Sequence, residues 1–98
     1  MKQFKELDPL LHSQLRLAVM SLLISVEEAE FTFLKEKTGA TAGNLSVQLS
    51  KLSEAGYIAL EKKFKDNKPL TLCKITTAGS KAFAAYVDAL KDYLSTDN

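Results

Sequence analysis

Apolar residues recur along this chain with two periods, one of about 3.6 residues and one of about two, and the change between them separates helices from a hairpin. Asp8 and Pro9 read as a helix cap and a first-turn proline, and the apolar residues of 10–24 predict a first helix. His12, Ser13, Gln14 and Arg16 interrupt that run, so two short pieces are expected near its start. Residues 25–30 carry no stripe and predict a loop, and residues 31–38 predict a short second helix ended by Gly39. At about 100° per residue, a third helix starting near Thr41 gathers Leu45, Leu49, Leu52 and Gly56 on one side. Gly43, Asn44, Val47, Ser50 and Lys51 fall on the other. The period then shortens. Residues 57–64 have the β-branched and aromatic content of a strand, residues 65–69 supply turn formers, and residues 70–76 alternate as a returning strand that Pro69 can open. A last helix over residues 77–95 follows the cap Thr76. The fold class expected is mainly α with a small β-hairpin, an α+β arrangement in one domain over residues 1–98.

The displayed side of the third helix is chemically unusual. It combines hydroxyls, amides and one cation, with none of the bulk of a surface rich in Glu and Lys. Thr41, Gly43, Asn44, Ser46, Val47, Gln48, Ser50 and Lys51 are slim enough for close approach to base edges and phosphates in a DNA major groove. The amides of Asn44 and Gln48 suit paired bonds to adenine, Thr41 and Ser46 suit phosphates near the helix start, and Val47 suits a thymine methyl. Gln48 lies nearer the apolar seam, where holding the second helix is its alternative role. Lys62, Lys63, Lys65 and Lys68 cluster around the hairpin tip, and their flexible ammonium groups can reach phosphates without fixed geometry.

Charge sharpens this picture through its distribution. The formal net charge of the 98 residues is only +1. Yet Lys51, Lys62, Lys63, Lys65, Lys68 and Lys74 face only Glu54, Glu61 and Asp66 in the block that holds the third helix and hairpin, so local charge is positive where contact is expected. A chain of 98 residues builds a modest core and benefits from burying more surface in a partner. The last helix carries Phe83, Tyr86, Val87, Leu90, Tyr93 and Leu94 at helical spacing. Such a stripe packs either on its own domain alone or, together with Phe4, Leu7, Leu10 and Leu11 of the leader, partly against a second copy as a homodimer interface.

These pieces, in this order, resemble the winged helix-turn-helix transcriptional regulators of the short MarR-like and ArsR-like subgroup. Asp8-Pro9 with Leu11-His12 and Arg16-Leu17 resembles the opening motif. Gly43-Asn44-Leu45-Ser46 with Leu49, Leu52 and Ala55-Gly56-Tyr57-Ile58 resembles the recognition helix, and Ile75-Thr76-Thr77-Ala78-Gly79 the entry to the last helix. The chain departs from that pattern at Gln48, where many relatives carry His, and in using Lys for Arg in the wing. The resemblance implies double-stranded DNA as partner, the third helix in the major groove, the hairpin as a wing on the backbone, and dimerisation through terminal helices. It also leaves room for a small apolar effector between the terminal helices and the reading core, although no residue pattern calls for one.

Other chemistry is weakly represented. His12 and Arg16 share a helix face, but one His without neighbouring ligands does not make a metal site, and no cofactor is implied. Cys73, the one cysteine, excludes an internal disulfide and reads as a buried filler in a reducing, cytoplasmic setting. Tyr57, Tyr86 and Tyr93 lie in apolar stripes and read as packing residues. The acidic run Glu27, Glu28 and Glu30 reads as a solvated loop. Residues 1–6 lack the apolar run of a signal peptide, and no segment approaches the roughly 20 apolar residues that cross a bilayer. With no nucleophile and base, phosphate loop or paired carboxylates, an enzyme is not expected. The alternative function is a winged-helix module that binds a protein through the hairpin and third helix.

Overall fold

Helices and sheet close on a single core, in which Leu11, Val19, Met20, Leu23, Leu34, Leu45, Leu52 and Cys73 are wholly buried. In the computed structural model, which describes residues 4–95, the order is α1 (Gln14–Val26), β1 (Glu28–Glu30), α2 (Phe31–Thr38), α3 (Ala42–Glu54), β2 (Ile58–Lys65), β3 (Lys68–Ile75) and α4 (Thr77–Leu94). Met1, Lys2 and Gln3 of the expected leader, and the last three residues of the expected 1–98 domain, lie outside the described residues.

The predicted break in the first helix falls at Ser13. Before it, Asp8 organises one turn: its carbonyl accepts from the N–H groups of Leu11 (3.1 Å) and His12 (2.9 Å), and its Oδ1 accepts from that of Leu10 (2.9 Å). Ser13 is extended, with φ −151°, and α1 starts after it. The loop expected over residues 25–30 is instead the end of α1, a turn at Glu27 (φ +70°) and the strand β1. Glu28, Ala29 and Glu30 pair with Lys74, Cys73 and Leu72. Only Ala29 of the three is buried, and the strand exists because β3 offers it a free edge, a partner far away in the chain.

The sheet is antiparallel in the order β1-β3-β2. At the hairpin tip Asp66 and Asn67 both have positive φ (53° and 63°), as a two-residue type I′ turn requires and as Asx residues tolerate. The end of α3 is closed by Gly56 at φ +81°, with Tyr57 N–H bonding the Leu52 carbonyl and Gly56 N–H that of Ser53, both at 3.0 Å. Gly56 is therefore an exposed helix stop, and the packed side expected for it belongs to Leu45, Leu49 and Leu52 alone.

Thr76 caps α4 by accepting from Gly79 N–H at 2.9 Å, and its hydroxyl donates to the Gly56 carbonyl at 2.6 Å. The helix is buried through Gly79, Tyr86 and Ala89, and exposure rises toward its far end. Extents of 59 × 25 × 21 Å and a radius of gyration of 15.2 Å, against about 13 Å for a compact chain of this length, mark an elongated molecule. The leader runs back along α4. Phe4 stacks on Tyr93 with centroids 4.7 Å apart, Tyr93 Oη donates to the Lys5 carbonyl at 3.0 Å, and Lys5 Nζ meets Asp88 at 2.6 Å.

Candidate nucleic-acid interface

Burial of Leu45, Leu49 and Leu52 fixes which side of α3 meets solvent. Thr41, Gly43, Asn44, Ser46, Val47, Ser50 and Lys51 are all exposed, while Gln48 is half-buried. Thr41 caps the helix, its Oγ1 accepting from Asn44 N–H at 3.1 Å. Val47 presents about half its surface to solvent, a methyl pair in an otherwise polar strip. A side chain added at Gly43 would meet nothing within 4 Å, so no packing inside the chain explains why the residue is small.

Gln48 is tied down from behind. Arg16 of α1 donates from Nε to the Leu10 carbonyl at 2.6 Å and from Nη1 to Gln48 Oε1. Gln48 Nε2 in turn donates to Asn44 Oδ1 at 3.0 Å. The strut expected of Gln48 thus runs to the first helix, not the second, and it also reaches Asn44 of the exposed strip. Arg16, which the sequence only placed on one helix face with His12, is the residue that holds Gln48 in this strip. No sequence signal links it to Gln48, because the two meet only when α1 and α3 cross.

The wing lies beside α3 and carries its cations in two states. Lys63 approaches Glu61 at 3.7 Å, Lys65 approaches Glu30 at 3.9 Å, and Lys74 bridges Glu61 (3.3 Å) and Glu28 (4.0 Å). All are well exposed, so each pair contributes at most about 1 kcal/mol. Lys62 and Lys68 have no ion pair among the described residues. Register puts Ile58, Leu60, Lys62 and Phe64 on one face of β2, and Phe64, opposite Pro69, is 78% exposed at the tip. Alternation gives Phe64 the face of the buried Ile58, so its exposure comes from its place near the hairpin tip and was not legible from the period-two pattern.

The residues expected at a dimer interface divide by burial. Leu11 and Tyr86 are enclosed by their own chain, and Leu7, Leu10, Phe83 and Leu90 are partly covered. Phe4 (60%), Tyr93 (46%), Leu94 (71%) and Val87 remain exposed along one end. His12 Nδ1 lies 2.9 Å from Tyr86 Oη, and Tyr57 Oη donates to Asp8 Oδ2 at 2.6 Å, which holds the Tyr57 phenol above its ordinary 10.0. A hollow of about 220 Å³ between the leader and α4 is lined by Glu6, Leu7, Asp8, Tyr57, Ala82, Ala85 and Tyr86, a mixed polar and apolar wall. Among the described residues, no three His, Cys, Asp or Glu side chains converge as metal ligands, and no helix is long and apolar enough to cross a membrane.

Comparison with known proteins gives this geometry a lineage. Residues 15–94 match the family model described as winged helix DNA-binding domain. An uncharacterized protein of Methanocaldococcus jannaschii is 38% identical over 76 residues, which cover 78% of this chain and 83% of that one. A transcriptional regulator homologue from Pyrococcus horikoshii superposes with a TM-score of 0.82 at 26% identity, covering 87% of this chain and 84% of that chain. A MarR variant from E. coli, solved with operator DNA, shares the fold at a TM-score of 0.71 and 20% identity, over 84% of this chain and 58% of its own. A match spanning both α3 and the wing shows that this chain belongs to the winged helix DNA-binding domain family and folds as the MarR-like transcription regulators do.

Proposed function

We infer that the protein is a sequence-specific, double-stranded DNA-binding transcription regulator that acts as a homodimer in the cytoplasm. Its α3 enters the major groove and its wing follows the flanking backbone. The observation that carries this reading is the strip from Thr41 to Lys51: slim, polar, backed by buried leucines, and open at Gly43 as though the chain kept that space for another molecule. Lys51, Lys62 and Lys68, free of ion pairs among the described residues, supply phosphate contacts, with Lys63 and Lys65 joining them by exchanging weak carboxylate partners. Phe64 adds apolar contact with the sugar edges beside these cations. The exposed end formed by Phe4, Val87, Tyr93 and Leu94 supports pairing of two copies, which would set two α3 helices about 34 Å apart on one face of the duplex.

Fluorescence anisotropy with genomic duplex fragments tests this reading. The wild-type protein should bind with a logarithmic salt slope of about −0.9 for each phosphate contacted, and the Asn44→Ala, Lys51→Ala double variant should bind at least about tenfold more weakly. Unchanged binding by the double variant, or affinity indifferent to salt, would remove α3 from the interface. Sedimentation of the same protein reports whether two copies associate.

A further inference from the structure

The bond sequence that reaches the reading strip from α1 has a direction. Arg16 carries a guanidinium that only donates, and its Nε is already fixed on the Leu10 carbonyl. Gln48 must therefore turn Oε1 toward Arg16, since the opposite flip sets donor against donor. That choice points Nε2 along the helix to Asn44 and engages Asn44 Oδ1 at 3.0 Å. What remains outward is the Nδ2 group of Asn44 and the second N–H of Gln48, and neither has a hydrogen-bond partner among the described residues.

We propose that Arg16 sets the polarity of the Gln48–Asn44 amide pair so that α3 offers DNA donors at this point, and that the base selected there is guanine. The inference rests on the DNA-binding reading above and deepens it. Guanine presents two adjacent acceptors, N7 and O6, in the major groove. Adenine matches one donor with N7 but opposes the other with its own amine, thymine offers the single acceptor O4, and cytosine presents only a donor. An isolated Asn or Gln favours adenine because one amide can donate and accept together. Here the accepting atoms of both amides face inward, so that pairing is replaced. Arg16 is thus a positioning residue: it acts on base choice through Gln48 and Asn44.

Binding-site selection from randomised duplexes, run on the wild-type protein and on Gln48→Glu and Arg16→Met, tests the proposal. The wild type should select guanine at one position by about tenfold or more over adenine. Gln48→Glu keeps a partner for Arg16 but removes the donor to Asn44, whose amide then turns Nδ2 inward and Oδ1 outward. The same position should shift to adenine or cytosine, whose exocyclic amines that oxygen accepts. Arg16→Met retains the apolar stem and frees the Gln48 amide to rotate, so preference at that position should level while the rest of the site stays selected. Thermal melts verify that each variant folds, and Gln48→Glu preserves the α1 to α3 contact should Arg16→Met fail. Wild-type selection of adenine or cytosine at the position that Gln48→Glu alters, or a Gln48→Glu profile identical to the wild type, overturns the assignment while leaving DNA binding intact. A wild-type protein that retains no duplex overturns the DNA-binding reading itself.

Discussion

The first turns of α3 and α4 are built alike and used differently. Each follows a threonine whose hydroxyl accepts a backbone N–H three residues on, Asn44 for Thr41 and Gly79 for Thr76. Each also carries a glycine in that turn, Gly43 and Gly79. At Gly79 a Cβ would lie 2.0 Å from the Tyr57 carbonyl oxygen, an atom that already accepts from Thr76 N–H at 3.1 Å. At Gly43 it would meet nothing. The same local sequence device thus sits in two settings: one glycine lets α4 dock on its own chain, and the other leaves a low, open surface that nothing among the described residues fills.

Gly79→Ala is the most severe way to break this contrast. The overlap is with backbone, which cannot rotate aside as a side chain could, so α4 must shift and release the Thr76 bonds. A loss of about 3 kcal/mol or more is expected, or failure to fold, measured by urea denaturation. A stability close to wild type would mean that α4 does not need its close approach to Tyr57.

Alkaline titration extends the contrast from backbone to side chains, because it penalises groups the interior needs neutral. Burial pushes the Cys73 thiol up from 9.0 to about 11. Between those values the unfolded chain has lost its proton and the folded chain retains it, so stability is fully present below pH 9 and falls as pH rises toward 11. The full effect is about 2.7 kcal/mol. Tyr57, raised through its bond to Asp8, acts in the same direction. Stability curves of wild type and Cys73→Ala should converge as pH rises from 9 to 11, and parallel curves would contradict a buried thiol. The same burial makes Cys73 a poor redox switch, since little thiolate exists near neutral pH.

The threonine caps give a finer comparison. Thr41→Ala removes one capping bond and should cost about 1 kcal/mol. Thr76→Ala also removes the exposed bond from its hydroxyl to the Gly56 carbonyl at 2.6 Å, and should cost about 2 kcal/mol. Equal losses in paired thermal melts would show that the Thr76 to Gly56 bond contributes nothing net.

This division between local and distant causes also decides what the sequence could disclose. Thr41, Gly39, Gly56 and Thr76 act on residues within one turn, so α2, α3 and α4 were legible with their ends, and so was the exposed strip on α3. β1 was not, because Glu28-Ala29-Glu30 is a strand only through β3, and the local pattern of two acids around one small residue reads as loop. The polarity of Asn44 and Gln48 was equally hidden. Read singly, each amide suits adenine. It is Arg16, 32 residues away from Gln48 in the chain, that turns both acceptors inward. The chemistry of individual site residues was thus available from sequence, and the direction in which they present it was not.

Gly43→Ala gives the smallest change in stability and separates folding from function most cleanly. A methyl in the exposed first turn of α3 lowers the backbone entropy of the unfolded chain and touches nothing in the folded one, so the free protein should gain about 0.5–1 kcal/mol. The same methyl would stand between the helix and a closely docked duplex. DNA affinity should therefore fall, by about tenfold, in the more stable protein, with the salt slope unchanged because no cation has been removed. Folding alone cannot produce opposite signs in the two measurements. If stability and affinity rise together, the open space above Gly43 serves no docking partner, and the slimness of this face must be traced to something other than the groove.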